Sequence, residues 1–163
     1  MSYIKKLIKC FFFFSLMFLF IPTIKEIKLK EKVDSVIGGK KEKGIYEGYL
    51  YIPRFNYENL IKKDSEALDN NLIELLSFSD EIGGNNVILA GHNNRYVFSI
   101  LYDLKLEDEL IVSNFSIDYR YVVKEIKYIK VDDYSIFNND NSLILITCTN
   151  DNQKRYVIVA KRE

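Results

Sequence analysis

Leu143-Ile144-Leu145-Ile146-Thr147-Cys148, followed after a short polar loop by Arg155-Tyr156-Val157-Ile158-Val159-Ala160, decides the fold class of this chain. Short continuous apolar runs bounded by polar residues read as buried strands, so the pair predicts two strands joined by the loop, with the thiol and the guanidinium side by side. A third run, Val87-Ile88-Leu89-Ala90-Gly91, is closed by His92, the single histidine of the chain. Thiol, imidazole and guanidinium thus all fall at strand ends, where a rigid scaffold displays chemistry.

Outward from these runs the pattern changes to a period of two. From Gly44 onward Tyr46, Tyr49-Leu50-Tyr51-Ile52 and Phe55-Asn56-Tyr57 alternate around Pro53, which predicts a strand pair with a break, because proline lacks the donor a ladder needs. Strands are also expected at Glu109 to Val112 and at Tyr119 to Val131, the latter kinked. Asp64-Ser65-Glu66-Ala67-Leu68 through Leu72-Ile73-Glu74-Leu75-Leu76 has helical spacing behind an Asp/Ser start and predicts one or two short helices. A further short helix is expected over Val97 to Leu104, and Gly83-Gly84-Asn85-Asn86 is turn chemistry ahead of the strand that ends at His92. The sum is mainly β, with few helices and no internal repeat, and favours a small closed or half-closed barrel.

With 163 residues, 48% hydrophobic and 14% aromatic, there is material for one compact domain with a real core. The 23 basic and 23 acidic side chains cancel, which leaves none of the basic footprint of a nucleic-acid binder, so no nucleic-acid partner is expected. The N-terminus reads differently. After Lys5, Lys6 and Lys9 comes Cys10-Phe11-Phe12-Phe13-Phe14-Ser15-Leu16-Met17-Phe18-Leu19-Phe20-Ile21, closed by Pro22. Taken from Ile4 to Ile24 with its lysines snorkelling, the segment approaches the roughly 20 residues a bilayer helix needs. No small-x-small cleavage site follows it, so an uncleaved signal anchor is expected. The expected organisation is a transmembrane segment at 1–24, a charged stalk at 25–43 and a catalytic domain at 44–163. Lys25, Lys28, Lys30 and Lys32 balance the lysines ahead of the segment, so charge counting leaves the orientation open.

The two cysteines do not suit a disulfide, since Cys10 lies in the expected membrane segment and Cys148 in the folded domain. A thiol of ordinary acidity is mostly protonated near neutral pH, so a nucleophilic cysteine needs a neighbouring cation or base, and His92 and Arg155 are the candidates. In acyl transfer the thiolate attacks a carbonyl, an imidazolium protonates the leaving amine and a positive donor steadies the oxyanion. Beside this stands the plain reading: a buried core cysteine, a surface histidine after a turn and a solvated strand-end arginine. No metal or other cofactor is expected, because one His and one Cys without clustered carboxylates do not make a zinc site. Asp132-Asp133 and Asn138-Asn139-Asp140 are oxygen-rich, but such stretches are ordinarily solvated loops rather than calcium sites.

The set Leu89-Ala90-Gly91-His92, Leu145-Ile146-Thr147-Cys148 and Arg155 ahead of Val157 and Val159 resembles the sortases, the cysteine transpeptidases of Gram-positive cell surfaces. Gly48-Tyr49-Leu50-Tyr51-Ile52-Pro53-Arg54 resembles the opening strand of that family; Phe98, Leu101, Leu104 and Asp108 match its helix and following turn; Val131, Asp132 and Asp133 fit the segment ahead of its Cys strand. The likeness runs from about Gly48 to Lys161. The order His before Cys sets it apart from papain-like cell-wall hydrolases, which place Cys first.

The resemblance implies an eight-stranded sortase-type β-barrel with a few short helices, tethered by a single-pass anchor with the catalytic domain on the extracellular side of the cell membrane. It implies that Cys148 cleaves an LPxTG-like motif after its Thr through a thioacyl enzyme, with His92 as acid/base partner. Arg155 would hold the substrate backbone and stabilise the oxyanion, Thr147 would aid the oxyanion or position the motif, and Ala90 would line the pocket for the leading residues. The implied partners are surface proteins or pilins with a C-terminal sorting signal, and the acceptor is an amine of a peptidoglycan cross-bridge or a pilin lysine. A cysteine hydrolase on the same fold, or a non-catalytic domain that binds sorting motifs or serves structurally, is the alternative. Two positions depart from the family: Ile144 stands where its Cys motif opens with Thr, and Glu107 replaces the turn Gly before Asp108, so another turn geometry is expected there. The short spans from His92 to Phe98 and from Cys148 to Arg155 resemble a compact, class D-like member.

Overall fold

The computed structural model describes residues 45–64, 66–137 and 140–163; the expected anchor and stalk, and Cys10 with them, lie outside the described residues. Eight strands carry the fold: β1 (Gly48–Ile52), β2 (Tyr57–Lys62), β3 (Ile73–Leu75), β4 (Asn86–Ala90), β5 (Glu109–Ser113), β6 (Asp118–Lys130), β7 (Ser142–Cys148) and β8 (Lys154–Arg162). They form a closed barrel in the order β1-β2-β3-β4-β7-β8-β6-β5, with β5 paired back to β1. Closure decides between the two barrel forms expected, and it leaves no unpaired edge. The β2–β3 and β4–β7 pairs are parallel, the others antiparallel. Among the described residues helix is limited to α1 (Glu66–Asp69) and to 3-10 turns at Pro53–Phe55, Ser99–Asp103 and Ser135–Phe137.

The unbroken runs have a simple cause: their strands are covered on both faces. Along β7, Leu143 and Leu145 enter the barrel interior with Leu50, Phe98, Val112 and Ile158. Ile144 and Ile146 turn outward and pack with Ile88, Ile129, Ile136, Val157 and Val159 beneath Leu76 and Phe137. At roughly 1.5–3 kcal/mol per fully buried aliphatic side chain, this double burial holds β7 firmly, with every residue from Ser142 to Thr147 buried. The nucleophile candidate sits on its last residue.

Three local details differ from, or refine, the sequence reading. The predicted helix ends at Asp69, and Ile73–Leu75 is a strand, buried at Ile73 and Leu75 but not at Glu74. Asn71 at φ 56° breaks the helix, and the parallel pairing Ile61↔Ile73 overrides the helical spacing. The kink expected in β6 is a register shift between Val123 and Glu125. Glu107, where another turn geometry was expected, takes φ 68° and so keeps the left-handed conformation a glycine would favour. It is held there because its N–H donates to the Val123 carbonyl at 2.9 Å while Val123 donates back to the Asp108 carbonyl at 2.9 Å.

Candidate active site

The antiparallel register of β7 and β8 sets Cys148 opposite Arg155. Alternation along each strand places both on the outer face, in line with Ile144 and Ile146 on one side and Val157 and Val159 on the other. Both are half-buried, and Arg155 Nη1 donates to Cys148 Sγ at 3.2 Å. Cys148 is a free thiol. The loop between them is bonded to itself: Thr149 N–H donates to the Lys154 carbonyl at 3.0 Å. The Thr149 hydroxyl accepts from Lys154 N–H at 3.1 Å and donates to Asp151 Oδ1 at 2.5 Å. The Thr149 hydroxyl and the Gln153 N–H together hold the Asp151 carboxyl below the usual carboxylate range. A hairpin tied this way presents the thiol and the guanidinium as one rigid unit.

His92 arrives from β4. The parallel register runs to Ala90↔Ile146, and Gly91 N–H still donates to the Ile146 carbonyl at 3.1 Å. β4 ends at Ala90, so His92 lies two residues beyond the last paired position, as Cys148 lies two residues beyond Ile146. There the chain turns away: the His92 carbonyl accepts from the N–H groups of Asn94 at 2.9 Å and Phe98 at 3.0 Å, which fixes the backbone and leaves the imidazole exposed. Glycine at 91 is a packing requirement, because a Cβ there would stand 2.6 Å from Phe98 Cδ2 and 2.7 Å from Val97 Cγ1. The sequence Gly91-His92 therefore lets Phe98 close against the strand end while the histidine leaves it.

Ala90 alternates with the buried Leu89 and lies half-buried on the outer face beside Ile146. Thr147 lies on the opposite face. It is 2% exposed, and its hydroxyl donates to the Gly91 carbonyl at 2.8 Å. The side chain thus ties the strand of Cys148 to the residue before His92 and does not share the face of the thiol. Ile144, where the family's motif opens with Thr, is fully buried in the outer apolar cluster.

Three residues that no motif marked complete the surroundings. Tyr102 donates its hydroxyl to the Cys148 carbonyl at 3.2 Å and stacks on Tyr156 with ring centroids 4.3 Å apart. Burial, and then the neighbouring Tyr128, Cys148 and Asp151, push the Tyr102 phenol up. Asn93 donates its amide to Asn150 Oδ1 at 2.8 Å, joining the turn after His92 to the loop after Cys148. In the sequence Tyr102 passes for one more apolar member of the Val97–Leu104 helix, and the two asparagines for loop polarity. The oxygen-rich stretches are occupied with turns: Asp133 accepts from the Ser135 hydroxyl at 2.6 Å and N–H at 3.0 Å, and Asp140 accepts from Asn85 at 2.9 Å. Asn138 and Asn139 lie outside the described residues.

The model of the Sortase domain family matches residues 50–163. Among solved structures the chain is similar to sortase C1 of Streptococcus agalactiae, at 29% identity over 76% of this chain and 70% of that one, TM-score 0.66. It is similar to sortase A of Listeria monocytogenes at 25% identity over 72% and 87%, TM-score 0.65. Sortase C of Streptococcus pneumoniae shares the fold at 22% identity over 74% and 70%, TM-score 0.67. No curated protein matches the sequence.

Proposed function

Because this chain belongs to the sortase family, we propose that it is a membrane-anchored cysteine transpeptidase that cleaves an LPxTG-like sorting motif and passes the acyl group to an amine of the cell wall or of a pilin. The observation that carries this reading is the 3.2 Å contact from Arg155 to the Cys148 thiol, supported by the Asn93–Asn150 bond that ties the turn after His92 to the loop after Cys148. The Cys148 thiolate attacks the threonyl carbonyl carbon, and the Arg155 guanidinium faces the oxygen that gains charge. His92 gives its proton to the leaving amine as the C–N bond breaks, which leaves the thioacyl enzyme. An acceptor amine then attacks the thioester carbon, its proton passes to His92, and the sulfur leaves as thiolate.

The motif's leading residues would lie along Ala90 and Ile146 on the outer face, with Thr147 holding the Gly91-His92 backbone from behind. The anchoring rests on the apolar run Cys10 to Ile21 in the sequence; no helix among the described residues is long and apolar enough to cross a membrane. An extracellular catalytic domain and surface proteins or pilins as clients are what the family membership suggests. The short connections from His92 to Phe98 and from Cys148 to Arg155 support a compact, class D-like enzyme.

The test uses the full-length chain in detergent with LPxTG-type peptides, with and without an amine acceptor, products and Cys148 adducts being followed by mass spectrometry. A Cys148-dependent amide product that needs the acceptor is the expected result, lost in Cys148→Ala, His92→Ala and Arg155→Ala. Cleavage without transfer would replace transpeptidation with hydrolysis, and an unreactive thiol across a broad peptide set would overturn the enzymatic reading.

A further inference from the structure

Strand β4 leaves the sheet before β7 ends. Its last ladder bond is from Gly91 N–H to the Ile146 carbonyl, 3.1 Å long. Carbonyls two residues apart on a strand point to the same side, so the Cys148 carbonyl faces the place where a further β4 donor would stand, and an unmet carbonyl at that point would be costly. The Tyr102 hydroxyl takes the position of that missing donor, at 3.2 Å. Its ring lies on Tyr156 at 4.3 Å and 15° between planes, so one side chain braces both strands of the hairpin that carries Cys148 and Arg155. A second tie runs from Asn93, the neighbour of His92, to Asn150, two residues beyond Cys148, at 2.8 Å. The Asn93 amide also lies 3.5 Å from the Tyr102 hydroxyl, a long contact that closes the group.

We propose that Tyr102 and the Asn93–Asn150 pair are positioning residues for the reaction: together they fix the end of β7 that carries Cys148 against the turn that carries His92. The inference rests on the reading of Cys148 as nucleophile. None of the three acts on the reacting atoms in this scheme. They act through geometry, since acyl transfer needs the sulfur, the carbonyl and the imidazole aligned to within a fraction of an ångström, and a misplacement of about 1 Å can cost about a hundredfold in rate. Two hydrogen bonds that each remove only part of that freedom carry a smaller share each.

The experiment compares full-length wild-type protein in detergent with Tyr102→Phe, which keeps the stack and removes the hydroxyl, with Asn150→Ala, which breaks the tie to Asn93, and with Asn150→Asp, which keeps an acceptor oxygen. Turnover of an LPxTG-type peptide, the alkylation rate of Cys148 by iodoacetamide and the melting temperature are measured on each. Tyr102→Phe and Asn150→Ala are expected to lower kcat roughly five- to tenfold with KM within about twofold of wild type, and to slow alkylation roughly threefold. Asn150→Asp is expected to restore most of both rates. Wild-type kcat and alkylation in Tyr102→Phe and Asn150→Ala would overturn the proposal, as would losses that vanish when each variant is assayed well below its own melting temperature. Should the wild type turn over no peptide, the proposed function fails, while the alkylation comparison still decides whether these residues hold the thiol in place.

Discussion

Replacing Thr147 by valine exchanges one hydroxyl for a methyl group in a side chain that is 2% exposed. The hydroxyl donates to the Gly91 carbonyl at 2.8 Å, so the variant strands an acceptor beside a buried glycine. Leaving a buried acceptor unmet costs about 1–3 kcal/mol, and the added methyl returns up to about 0.8 kcal/mol through burial, so a net loss of about 1–2 kcal/mol is expected. For a domain of this size that is a fall in melting temperature of roughly 3–8 °C. Urea unfolding of the full-length chain in detergent, followed by tyrosine fluorescence because the sequence has 12 Tyr and no Trp, should show a lower midpoint at unchanged slope. Activity should fall further than stability alone accounts for, by roughly tenfold in kcat/KM at temperatures where the fold is intact, because Gly91 leads directly into His92. Thr147→Ser keeps the donor and should recover most of both losses. A valine variant as stable and active as wild type, or a serine variant as damaged as valine, would refute the view that this hydroxyl joins the two strands.

The same accounting gives the opposite sign at Tyr121, which is fully buried and whose hydroxyl has no hydrogen-bond partner among the described residues. Tyr121→Phe should raise stability by about 1 kcal/mol, and a lower denaturation midpoint would show the reasoning wrong. At Glu107, held at φ 68°, Glu107→Gly should be more stable than Glu107→Ala by about 1 kcal/mol, since both lose the exposed Lys124 pair and only glycine tolerates the backbone freely. Equal stability of the two would mean that the turn relaxes. Burial pushes the Tyr57 phenol well above its ordinary value of 10.0, against the lowering effect of the Asn59 amide. Its folded-state value is raised, so its contribution is complete below pH 10 and is lost as pH climbs beyond it, at about 1.4 kcal/mol per pH unit. Tyr57→Phe should flatten the alkaline fall in stability above pH 10 by one proton's worth, as read from urea midpoints between pH 9 and 11.

What could be read from the sequence follows from how strongly each residue is constrained by its own neighbours in the chain. The runs at β4, β7 and β8 announce themselves because two-sided burial demands apolar residues at every position. The Cys148 and Arg155 contact follows from one hairpin, a local feature. Strand β3 was hidden because Leu72, Ile73, Leu75 and Leu76 satisfy a helical and an extended pattern alike, and the parallel partner Ile61 that decides between them is invisible locally. Tyr102 and Asn93 were missed for the same reason: their partners, Cys148 and Asn150, lie 46 and 57 residues away in the chain. Glu107 misled in the other direction, since the backbone bonds to Val123 hold a conformation that its residue type alone would not choose.

The parallel pairing of β4 with β7 has a consequence for how the protein comes into being. It joins Thr147 to Gly91 across a sequence separation of 56 residues, a closure that no local hairpin can anticipate and that folding reaches slowly. Until it forms, the turn that follows His92 is not held against the strand that carries Cys148. Under the proposed function, the change in Cys148 alkylation rate during refolding is then a clock for barrel closure, readable in the same experiment that follows tyrosine fluorescence for collapse.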